Sequence, residues 1–145
     1  MQEKWTRWEP VTGLSPKYYI QAVHDTPTSL RIMLLEEKKR HRLQLTFKTG
    51  AGSYQRTDES FCLERTAPLA DKYGIEFYAR WTFFIINNSD YLKFLSAQSQ
   101  SISDSRDFIH FSILAIDSIM DIIAYEEPLV IIQEKKSRVL LKRDK

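Results

Sequence analysis

One cysteine, Cys62, stands among 145 residues, so no intrachain disulfide can form and the chain suits a reducing compartment such as the cytoplasm. Glycine is scarce, at four residues, which argues against a turn-dense sandwich. Neither charge dominates: 21 Lys and Arg against 19 Asp and Glu leave a net charge of +2, too balanced for a nucleic-acid-binding protein. The longest apolar run is interrupted by His110, Asp117 and Asp121, which disfavours a membrane span. The opening MQEKWTRWEP is polar and aromatic rather than a signal peptide, and no internal repeat is visible. The motifs of common chemistries are missing as well. His24, His41 and His110 are far apart, and no H-x-x-x-H, C-x-x-C or H-E-x-x-H spacing exists to hold a metal. No G-x-S-x-G elbow, dinucleotide fingerprint or phosphate loop occurs. The expectation is a protein without catalytic residues, cofactor or metal.

What is present is an ordinary globular mixture, 43% apolar and 28% charged, expected to fold as a single domain over residues 1–145. Its centre is the run FIHFSILAIDSIMDIIAYEEPLVII, starting at Phe108. Asp117-Ser118 and Glu126-Glu127-Pro128 punctuate it with turn formers, which predicts three short strands at about 108–116, 118–125 and 129–134. Pro128 lacks an N–H and suits a strand start. Runs this apolar need cover on both faces, so helices must come from elsewhere in the chain.

Residues 1–16 read as an irregular arm whose Trp5 and Trp8 dock on the domain. Three alternating stretches follow, at 17–25, 30–34 and 43–47, expected to form an antiparallel meander. The clearest is Leu43, Leu45 and Phe47 set against Arg42, Gln44, Thr46 and Lys48. In the first, Tyr18, Ile20 and Ala22 share a face. A helix is predicted near 60–73, disturbed by Pro68 and closed by Gly74. A strand follows at 80–87. Asn88 or Ser89 then caps a helix near 89–99. Residues 100–107 read as a polar loop and 135–145 as a solvated basic tail. The fold class is therefore α+β: a mainly antiparallel sheet of six or seven strands with two helices.

Cys62, in SFCLER, has no local activator and reads as a buried inert thiol. His110 reads as a satisfied core histidine. Asp121 points away from Met120 and Ile122, to be solvated or paired with an arginine. A binding surface is best sought beside the glycine-containing loop 49–53, at Tyr54, Arg56, Asp58 and Glu59, because Tyr and Arg are enriched in protein contact sites. The competing expectation is that Arg56 simply pairs with Asp58 or Glu59.

Several short motifs carry a family resemblance. They are Tyr54-x-Arg56-Thr57-Asp58-Glu59, Asn88-Ser89-x-Tyr91 with Gln98-Ser99, His110-Phe111, Asp117, Asp121 and Glu127-Pro128. Together, over about residues 8–134, they resemble small bacterial immunity-like proteins found mainly in Gram-positive bacteria, some of which neutralise polymorphic secreted toxins. The resemblance implies a cytoplasmic, non-enzymatic inhibitor with a protein partner and carries over no binding residues. The tryptophan arm and basic tail lie outside it. A structural or regulatory interaction module is the second expectation, and a small-ligand binder or enzyme the third. No nucleic-acid or membrane partner is expected, and the sequence leaves the oligomeric state open.

Overall fold

In a computed structural model, residues 2–99 and 107–134 are described. The expected polar loop at 100–107, Asp107 apart, and the expected basic tail at 135–145 lie outside them. Nine strands form two antiparallel sheets. They are β1 (Lys4–Arg7), β2 (Tyr18–Thr26), β3 (Ser29–Glu36), β4 (His41–Phe47), β5 (Ser53–Asp58), β6 (Phe83–Asn87), β7 (Ile109–Leu114), β8 (Ser118–Ala124) and β9 (Leu129–Glu134). One sheet has the order β1-β6-β7-β8-β5 and the other β2-β3-β4-β9. The fold is α+β, as expected, but the expected single sheet of six or seven strands is two sheets of five and four.

The sheets pack face to face, although scarce glycine argued against such an arrangement. Turns are made by other means: Lys39 takes a left-handed φ of 60° in the β3–β4 turn, and Thr26 with Ser29 hydrogen-bond across the β2–β3 turn. The inter-sheet core joins Leu30, Ile32, Leu34, Leu43, Leu45 and Phe47 to Phe83, Phe111, Ile113, Met120 and Ile122. Alternation on β4 is complete: its odd residues are buried and its even ones half-buried.

The other face of the five-stranded sheet is covered by helices α1 (Leu63–Tyr73) and α2 (Glu76–Ala79), through a second cluster of Trp5, Cys62, Leu69, Phe84, Ile86, Leu114 and Ile119. Helix α3 (Asp90–Gln98) follows β6, and its Tyr91 ring meets His110 edge-on. β8 is buried along its whole length and β7 nearly so, because they are the centre of a middle layer. Pro68 sits inside α1 at its sixth residue, and Gly74 closes the helix at a φ of 88°, where a side chain would be strained.

Two sequence expectations are corrected. The N-terminal arm is not wholly irregular, because Lys4–Arg7 pairs with β6. Its tryptophans do dock, Trp5 in the helix-side cluster and Trp8 in the inter-sheet core. In β2, a register shift between Ile20 and Ala22 moves Val23 rather than Ala22 onto the core face, opposite Ile32. The single extra residue of a bulge reverses the parity that a regular strand would keep.

Candidate functional site

β7 and β8 turn alternate residues toward the helices, and three of these are polar: His110, Ser112 and Asp121. Pairing places them side by side. One row across the sheet runs Phe84, Ser112, Asp121, Gln55, and the next runs Ile86, His110, Ile123, Ser53. Asp121 is 0% exposed, and a lone carboxylate there would be costly. It is satisfied from three sides. Arg65 of α1 donates Nη1 to Oδ2 at 2.6 Å and Nη2 to Oδ1 at 3.0 Å; His110 Nε2 lies 2.8 Å from Oδ1; Gln55 Nε2 donates to Oδ2 at 3.3 Å. Burial pushes the Asp121 pKa up, but the bonds from His110 and Arg65 outweigh it and hold the carboxyl well below its usual range. An ionised Asp121 accepts, so His110 Nε2 carries the donated proton.

The other imidazole nitrogen, Nδ1, is 2.6 Å from Ser89 Oγ. Ser89 is the N-cap of α3, its hydroxyl accepting from the Leu92 N–H at 3.0 Å. Asn88 precedes it at a left-handed φ of 54°, which asparagine tolerates better than most residues. Arg65 also lies over the Trp5 ring, 5.8 Å from its centroid. The network thus ties β5, β7, β8, α1 and α3 to one buried carboxylate.

Above it lies a groove of about 780 Å³, bordered by Trp5, Gln55, Arg65, Tyr73, Tyr91 and His110, among others. The connectivity Ser89–His110–Asp121 is that of a serine proton relay. Its geometry serves structure instead. The Ser89 hydroxyl is buried, is spent on a helix cap, and does not border the groove. The Arg65 fork stabilises the ionised carboxylate and so lowers its basicity. Among the described residues, no group of three or more His, Cys, Asp and Glu could hold a metal ion, and no helix is long and apolar enough to cross a membrane.

The four residues singled out for binding lie on β5 and just after it. Tyr54 donates its hydroxyl to Asp25 Oδ2 at 3.1 Å, which pushes the phenol pKa up. Arg56 does not pair with Asp58 or Glu59. It reaches Asp117 Oδ2 at 3.2 Å, Ser118 Oγ at 3.0 Å and the Ile20 carbonyl at 3.2 Å. Asp117 in turn accepts from the Ile20 N–H, so Arg56 and Asp117 clasp the edge of one sheet to the other. Asp58 accepts from the Ser60 N–H and hydroxyl, bonds that lower its pKa, and so caps the 3-10 turn Glu59–Phe61. Glu59 is exposed. The structure brings Tyr54, Arg56 and Asp58 into one strand and gives each a partner within the chain.

The sequence reads the two residues beyond them only as the apolar flank of Cys62, and Leu63 with Ala67 and Ala70 as one apolar face of the helix; the structure turns both residues outward. Phe61 is 81% exposed and Leu63 74%, on either side of Cys62. Cys62 itself is buried, within reach of the Asp58 carbonyl at 3.4 Å, and burial raises its thiol pKa. No family model matches the chain, and no curated protein or solved structure matches it either.

Proposed function

We propose that the chain is a non-enzymatic protein-binding protein whose contact surface is the junction of β5, the 3-10 turn and α1. The observation that carries this reading is the exposure of Phe61 and Leu63 two residues apart. Burying a large apolar side chain is worth about 1.5–3 kcal/mol, and neither residue collects that within the fold. Both stand on a backbone fixed by the Asp58 cap and the Cys62 anchor, so little ordering is left to do on binding. Arg56 and Glu59 supply charge of both signs at the rim, in the manner of apolar centres ringed by polar residues. The finer reading is a cytoplasmic inhibitor that neutralises a bacterial toxin. It rests on the resemblance to immunity-like proteins and makes a toxin the first partner to test.

The test is a binding titration of the purified chain against the product of each neighbouring gene. Because Phe61 and Leu63 contribute little to the core, Phe61→Asp and Leu63→Asp should leave the melting temperature near its original value. Each should weaken binding by about 30-fold, the loss of a strong contact residue. A partner that binds both variants as tightly as the parent chain rules out this surface.

A further inference from the structure

Two sheets leave four edge strands, and three of them are blocked. β1 has only four residues; the Trp5 N–H is taken by the Tyr73 hydroxyl and the Glu3 carbonyl by Lys72 Nζ. β2 is bulged, its Tyr18 carbonyl accepts from the Ile116 N–H, and its Ile20 N–H and carbonyl are held by Asp117 and Arg56. β5 carries Arg56 and Asp58. Short length, bulges, charges and covering contacts are the usual devices that stop sheet edges from pairing. β9 has no bulge, and its one charge, Glu134, stands at its last residue. It pairs with β4 alone, carries no charge from Leu129 to Gln133, and, among the described residues, no other element hydrogen-bonds to it. Leu129 and Ile131 point outward at 50% and 52% exposure.

We propose that β9 is a self-association edge: two copies of the chain pair β9 with β9 antiparallel about a two-fold axis at Ile131, merging their four-stranded sheets into one of eight strands. The occupant follows from register. Residues directly opposite in an antiparallel pair lie on the same face, so a continuous sheet must set outward residues against outward ones. Centring on Ile131 does so: Ile131 meets its own copy, Leu129 meets Gln133, and Val130 meets Ile132. An axis at Ile132 would instead set Val130, on the core face, against Glu134. Beyond the strand, Glu126-Glu127 precede Pro128 in sequence and Lys135-Lys136 follow Glu134. Charges of opposite sign thus flank the strand in sequence, the complementarity an antiparallel self-pairing calls for, which favours this strand as its own partner over an arbitrary one. The contact is isologous and closes after two copies.

Light scattering of the full chain over a concentration series reaching the high micromolar range tests this. A reversible monomer–dimer equilibrium is expected. Ile131→Lys should abolish it without changing the circular dichroism spectrum, since that side chain is half outside the fold. A short thiol cross-linker should join two copies of Ile131→Cys and fail with Leu129→Cys, whose copies lie four positions out of register. A chain that stays monomeric throughout, a dimer that survives Ile131→Lys, or equal cross-linking of the two cysteine variants would each overturn the proposal. So would a monomer that instead accepts an extended foreign peptide at this edge.

Discussion

The two faces of the five-stranded sheet are built from the same strands and held by different physics. Toward the second sheet, Phe83, Phe111, Ile113, Met120 and Ile122 make an apolar layer, in which contact is non-directional and close packing decides the energy. Toward the helices, their sequence neighbours include His110 and Asp121, held by directed bonds to each other and to Arg65, Ser89 and Gln55, and Ser112, whose buried hydroxyl has no partner among the described residues. The apolar face can lose volume gradually. The polar face fails when one partner leaves, because the remaining groups stay buried without a mate. The comparison also separates two senses of "unusual". A Ser–His–Asp array looks catalytic by its connectivity, yet its burial and its use as a helix cap give it a positioning role.

The largest test strikes the apolar face. Phe47→Ala should cost about 3–5 kcal/mol, enough to threaten a typical total of roughly 5–15 kcal/mol. Gln44→Ala, on the outer side of the same strand, should stay within about 0.5 kcal/mol. Urea midpoints that coincide would mean the burial pattern of β4 does not govern stability.

On the polar face, Asp121→Asn should cost about 3 kcal/mol, the low end for a broken buried pair because the Arg65 side chain is still 33% exposed. It should also flatten the acid response. The Asp121 carboxyl is depressed in the fold, so the unfolded chain takes up the proton first. Its contribution is complete above the ordinary value of 3.8 and is lost as pH falls through the lower folded value. Melting temperatures across that range should therefore fall less steeply in the variant than in the parent, and parallel curves would remove Asp121 from the account. A smaller loss than that of Asp121→Asn is expected for Ser89→Ala, about 1 kcal/mol for a lost helix cap. Amide exchange should accelerate in α3 while β3 and β4 stay protected. Uniform acceleration would show that the network and the inter-sheet core open as one unit.

Much of this was legible in the sequence. The period of Leu43, Leu45 and Phe47, the turn at Asp117-Ser118 and the cap at Ser89 are local signals, and each sits where its local chemistry put it. The division into two sheets was not, because β1–β6 and β4–β9 pairings join segments remote in sequence and leave no local mark. β5 was hidden by its polarity: an edge strand with Gln55, Arg56 and Asp58 has no apolar alternation to read. The bulge at residue 21 reversed the expected face of Ala22 and Val23 because β3 imposes the register. For the polar network, the parity of His110 with Ser112 was visible within an apolar strand. What the sequence could not supply was Arg65, which reaches Asp121 across 56 positions.

The pairing of β4 with β9 also sets a timetable. A growing chain emerges at about 5–20 residues per second, so strands β2, β3 and β4 can form their meander several seconds before Leu129 exists. During that interval β4 is an open edge, and Leu43, Leu45 and Phe47 await the opposing sheet that β6, β7 and β8 have yet to build. The meander is assembled early from local pairings but can be roofed and edged only late. The nascent chain therefore passes through a long stage with the apolar face of β4 uncovered, and that stage, more than the finished fold, is where a molecular chaperone would find something to hold.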